Sequence, residues 1–89
     1  MDASPKLVRR KDVLWRSFNG LLVVGPQDGE PTAFSGSASL VWHLLETATT
    51  LVDLTTTLAH TTGASLEVVR CDLEGLLAEF QRIRVVDLC

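Results

Sequence analysis

Eighty-nine residues, 46% hydrophobic and 21% charged with a formal net charge of -3, have the make-up of a folded domain rather than a disordered tail. A chain this short commits almost every large apolar side chain to its core, which excludes an elaborate active site. No apolar run is long enough to span a bilayer, and Met1-Asp-Ala-Ser-Pro-Lys6 has no apolar stretch of signal-peptide type, so a cytoplasmic protein with no membrane partner is expected.

In chain order, Leu7 to Lys11 and Val13 to Phe18 mix β-branched and aromatic residues with charged ones, as strands with one wet face do. Asn19-Gly20 is a strong hairpin signal because both residues tolerate positive φ. Leu21 to Val24 predicts a buried strand, ended by Gly25-Pro26-Gln27-Asp28-Gly29. Pro31 to Phe34 predicts a short edge strand, since proline at its start cannot donate to a ladder. Ala38, Val41, Trp42 and Leu45 then recur at helical spacing, with Ser35 or Ser37 as candidate cap.

Thr50 and Asp53 predict a capping-box start for a second helix, whose stripe is Leu51, Leu54 and Leu58 and whose stop is Gly63. Its Thr55-Thr56-Thr57 run is a poor helix former, so packing must hold it. Ser65 caps a third helix with Glu67 in its first turn and Arg82 and Arg84 at its end, each with the sign the macrodipole favours. Leu66, Val69, Leu73, Leu76, Leu77 and Phe80 form its apolar face, and Val85 and Val86 close the chain on the core. The expected fold is α+β: a winged helix-turn-helix with an N-terminal antiparallel three-stranded β-meander followed by three α-helices, one domain over 1–89 with its core at about 7–86.

That architecture is best known for binding DNA, but the charges point elsewhere. Five of the eight basic residues (Lys6, Arg9, Arg10, Lys11, Arg16) precede residue 17, and the third helix sets Glu67, Asp72, Glu74 and Glu79 against Arg70 and Arg82. A net acidic helix is a poor reader of phosphate, so no nucleic-acid partner is expected. The only histidines, His43 and His60, stand on different helices with no nucleophile at motif spacing, so no catalytic residues are expected and the chain is not read as an enzyme. Cys71 and Cys89 lack metal-site spacing and read as reduced thiols; neither a metal nor a cofactor is expected, although an exposed Cys89 would allow adventitious dimers in air. What remains is a binding module that uses a sheet edge, where an added peptide strand satisfies the unpaired N–H and C=O groups.

The ordered set Val13-Leu-Trp-Arg16, Leu21-Leu-Val-Val24, Phe34-Ser-Gly36, Leu40-Val-Trp-His-Leu-Leu45, Thr50-Leu-Val-Asp-Leu54 and Cys71-Asp-Leu-Glu-Gly-Leu-Leu77 resembles the PqqD-like family of peptide chaperones, also called RiPP recognition elements. The resemblance implies a non-catalytic module that binds the leader segment of a ribosomally made precursor peptide and presents it in trans to a radical SAM enzyme, protease or cyclase. In that family the leader adds a strand beside the third strand of the sheet, over a groove floored by the third helix. Carried onto this sequence, the strand is Pro31 to Ser35, with Thr32, Ala33, Phe34 and Ser35 as leader contacts; the helix residues are Val69, Arg70, Asp72, Leu73 and Leu76. Val69, Leu73 and Leu76 would give apolar contact, and Arg70 or Asp72 would pair with leader charges. Two positions depart from the family: Arg84 stands where glycine is common, and His43 where an acidic residue follows the helical tryptophan. A DNA-binding regulator, and an assembly subunit that pairs edge strands as a weak homodimer rather than acting as a monomer, are the readings of other classes.

Overall fold

The structure, a computed structural model, describes residues 5–88. Cys89 and the start of the N-terminal segment, and the expectations attached to them, lie outside the described residues. Three strands form the expected meander: β2 (Val13–Phe18), β3 (Leu21–Pro26) and β4 (Thr32–Phe34), antiparallel in the order β2-β3-β4, preceded by β1 (Leu7–Arg9). Asn19 (φ 50°) and Gly20 (φ 76°) make the two-residue turn between β2 and β3, the left-handed pair that matches strand twist.

β3 runs two residues beyond the expected Val24, because Gly25 and Pro26 still pair with Leu14 and Val13. Glycine is required there: a Cβ on Gly25 would lie 2.7 Å from Pro31 Cα and 2.9 Å from the Glu30 carbonyl oxygen. The backbone of the β3–β4 connection thus folds tightly over the end of β3 and sets where β4 begins.

Three helices follow: α1 (Ala38–Leu44), α2 (Leu51–Thr62) and α3 (Leu66–Arg82). Ser37 is the α1 N-cap, but it makes no side-chain capping bond; its ψ of 0° is not the extended geometry that aims a cap hydroxyl at the first turn. Thr50 does cap α2, accepting from the Asp53 N–H at 3.1 Å, while the return bond of a capping box is absent among the described residues. Gly63 (φ 74°) ends α2 as expected, and Ser65 caps α3 by accepting from the Val68 N–H.

The exit from α3 is a Schellman turn. Val85 N–H donates to the Phe80 carbonyl at 3.0 Å and Arg84 N–H to that of Gln81 at 3.1 Å, which forces Arg84 to φ 62°. An arginine therefore occupies the left-handed position that glycine prefers.

The main departure from expectation is a second sheet. β1 does not extend the meander; it pairs antiparallel with β5 (Val86–Leu88), in the register Leu7↔Leu88, Val8↔Asp87, Arg9↔Val86. Leu7 also exchanges backbone hydrogen bonds with Thr49 ahead of α2. Arg10 fixes the corner after β1: its guanidinium donates from Nε and Nη2 to the two oxygens of Asp12, both at 2.9 Å, and lies 3.6 Å from Asp87. That two-pronged bond holds the exposed Asp12 carboxyl below the usual carboxylate range.

Between the sheets and helices lies one core, in which Leu22, Val24, Val41, Trp42, Leu45, Phe80 and Val85 are fully buried. The whole α1 stripe of Ala38, Val41, Trp42 and Leu45 is buried as expected, whereas Leu66 of the expected α3 stripe is exposed.

Candidate functional site

β4 lies at the margin of its sheet. It pairs with β3 through Leu22↔Phe34, Val23↔Ala33 and Val24↔Thr32, and its other edge has no strand partner among the described residues. Alternation along β4 leaves Thr32 and Phe34 half-buried and Ala33 exposed; Ser35, just past the strand, is exposed as well. A three-residue strand starting after a proline is short enough to stay unpaired without inviting aggregation, yet offers main-chain groups for one more strand.

Phe34 joins this edge to α3. Its ring meets Phe80 edge to face at 5.1 Å; Phe80 meets Trp42 at 5.7 Å, and Trp42 meets Trp15 at 6.1 Å. This aromatic chain crosses the molecule from β2 to β4 and fixes the tilt of the edge strand against the helix. Arg9 closes its far end, with its guanidinium 5.0 Å from the Trp15 ring and 5.5 Å from that of Trp42. His43 stands edge-on to Trp15 at 5.5 Å and is otherwise exposed, a contact aromatic in character.

Val69, Asp72, Leu73 and Leu76 recur at i, i+3, i+4 and i+7 and so share one face of α3. Val69 (7% exposed) and Leu73 (2%) are core residues; Leu76 is half-buried and Asp72 is open to solvent. Of the expected helix contacts, then, Leu76 and Asp72 present surface, and Val69 and Leu73 support them from below. Arg70 is set apart. It borders a concavity with Leu51 and Val52 of α2, on the opposite flank of the helix, and its Nε lies 3.4 Å from Glu74.

The exposed charges of α3 are partly spent on one another: Arg70 pairs with Glu74 and Arg82 with Glu79 at 2.7 Å. Glu67 and Asp72 have no ion-pair partner among the described residues, so the helix keeps a net acidic surface. Among those residues no three histidine, cysteine or acidic side chains gather as metal ligands. Cys71 is a free, exposed thiol, and no helix is long and apolar enough to cross a membrane.

Sequence reasoning missed Ile83, half-buried against the core at the end of α3, and the Phe34–Phe80 contact. Periodicity puts Phe80 on the apolar face of α3 but leaves Phe34 free to point either way, since a one-residue register change exchanges a strand's faces, and nothing local pairs residues 46 positions apart.

A solved structure described as "TbiB1 in Complex with the TbiA(beta) Leader Peptide" matches this fold with a TM-score of 0.77 over 90% of this chain and 94% of that one, at 16% sequence identity. No curated protein matches. The family model described as Coenzyme PQQ synthesis protein D (PqqD) matches residues 20–86, from the turn before β3 to the start of β5. That match takes in the edge strand, all three helices and the Schellman turn, and the chain belongs to the PqqD family.

Proposed function

We propose that this chain is a non-catalytic recognition element that binds the leader segment of a ribosomally synthesised precursor peptide by strand addition to β4. It thereby presents the precursor to a modifying enzyme, such as a radical SAM enzyme, protease or cyclase, in the biosynthesis of a peptide natural product. The observation that carries this reading is the unpaired edge of β4 beside α3 in a PqqD-family chain; the solved relative in complex with a leader peptide supports it. Backbone groups of Thr32, Ala33, Phe34 and Ser35 would set the register of the added strand. Leu76 would give apolar contact and Asp72 a partner for a leader cation, with Val69 and Leu73 holding the floor. Arg70, on the far flank, has no part in this site.

Calorimetric titration of the reduced protein with the leader half of any short precursor peptide encoded beside it tests the reading. Micromolar or tighter binding is expected, and absence of binding to any such peptide would refute it. Leu76→Asp should weaken that binding at least tenfold while the circular dichroism spectrum stays native. Val69→Asp is unsuitable, because a charge at a core position reports on folding.

A further inference from the structure

The three-stranded sheet is covered on one face only. Val13, Leu22 and Val24 are buried in the core and Phe34 packs against it, so strand alternation turns Leu14, Arg16, Phe18, Leu21, Val23 and Ala33 outward. Register makes them neighbours: Arg16 lies opposite Val23, Phe18 opposite Leu21, and Val23 opposite Ala33. Leu14 is 61% exposed and Phe18 52%. At one end Pro26 and Pro31 rise beside Leu14, Arg16 and Val23 to form an open concavity of about 360 Å³. Arg16 has no ion-pair partner among the described residues, and it stands in the middle of this apolar face.

Size and charge select the occupant. Six residues at about 3.3 Å and three strands about 4.8 Å apart give a face of roughly 300 Å². A stable dimer buries about 800 Å² per partner, so this face fits a transient contact. Two copies packed face to face would also bring like-charged Arg16 side chains together. A partner surface with a bulky apolar side chain for the concavity and a carboxylate for the guanidinium is complementary on both counts.

We propose that the outer face of the β2-β3-β4 sheet docks the modifying enzyme, which seats an apolar side chain in the Leu14–Val23–Pro26 concavity and a carboxylate on Arg16. This rests on the leader-binding reading above and extends it. The leader takes the β4 edge and the α3 side, the enzyme takes the opposite face, and both are held at once.

The test uses the full chain, the precursor whose leader binds it and the purified enzyme that modifies that precursor. Leu14→Glu and Arg16→Glu are expected to bind the leader within twofold of wild type by calorimetry. Each should need at least tenfold more chain for half-maximal modification, followed by mass spectrometry. Unchanged half-saturation in both variants overturns the docking proposal. Loss of leader binding with a native circular dichroism spectrum assigns the face to the leader and also overturns it. A wild-type dimer in sedimentation that Leu14→Glu dissociates assigns the face to a second copy and overturns the proposal as well. Failure of the wild-type chain to bind any leader refutes the underlying function instead, and calorimetry alone reads that failure.

Discussion

Arg84 carries a backbone cost that its side chain does not offset with any ion pair among the described residues. A non-glycine residue in the left-handed region loses roughly 1–2 kcal/mol, part of which glycine returns through its freer unfolded chain. Arg84→Gly should therefore stabilise the fold by about 0.5–1 kcal/mol, seen as a higher urea midpoint at unchanged slope. Gly25 is the opposite case. Gly25→Ala drives a methyl into the backbone of Pro31, and the prediction is a loss of about 1–3 kcal/mol. Because the same backbone leads into β4, leader affinity should fall with it, and a variant with native stability and affinity would contradict this close packing.

Among elements, α2 depends most on its surroundings. Thr55, Thr61 and Thr62 turn their hydroxyls back to carbonyls four residues earlier, a bond that competes with good helix geometry. Thr57 is exposed and makes no such bond among the described residues, so Thr57→Ala should gain about 0.5 kcal/mol from propensity alone, measurable by thermal unfolding. The helices and the meander were legible from sequence because their signals are local: caps at Thr50 and Ser65, stops at Gly63, the Asn19-Gly20 turn, and apolar spacing in between. The β1–β5 sheet was not. Val86-Asp-Leu88 is too short to show alternation, and its partner lies at the other end of the chain. The site was legible in part for the same reason. Pro31 to Phe34 read as an edge strand from its proline and its shortness, but the assignment of 32–35 and of the 69–76 face to a leader came from the family resemblance, and periodicity could not divide core from surface on that face.

At the scale of the molecule, charge is polarised. Lys6, Arg9, Arg10, Lys11 and Arg16 gather on β1, β2 and the segments beside them, while α3 is net acidic and both its arginines are tied to glutamates. A helix with that surface cannot draw on phosphate attraction. The expected outcome is no mobility shift of duplex DNA at physiological salt. A shift that weakened steeply with added salt would return the chain to the regulators.

The pairing of β1 with β5 also orders events in time. During synthesis residues 7–9 emerge long before residues 86–88, and until then their backbone can bond only to Leu45 and Thr49, so the β1–β5 sheet forms last. The β2–β3 hairpin, joined by two residues, closes on a microsecond scale as soon as it emerges. Loop closure across nearly the whole chain is the slower step, and it seals the last side of the core around Val85 and Val86. A nascent chain stalled before residue 86 would hold its meander and helices with the β5 side of β1 still open, a form that proteases or chaperones can tell from the finished domain.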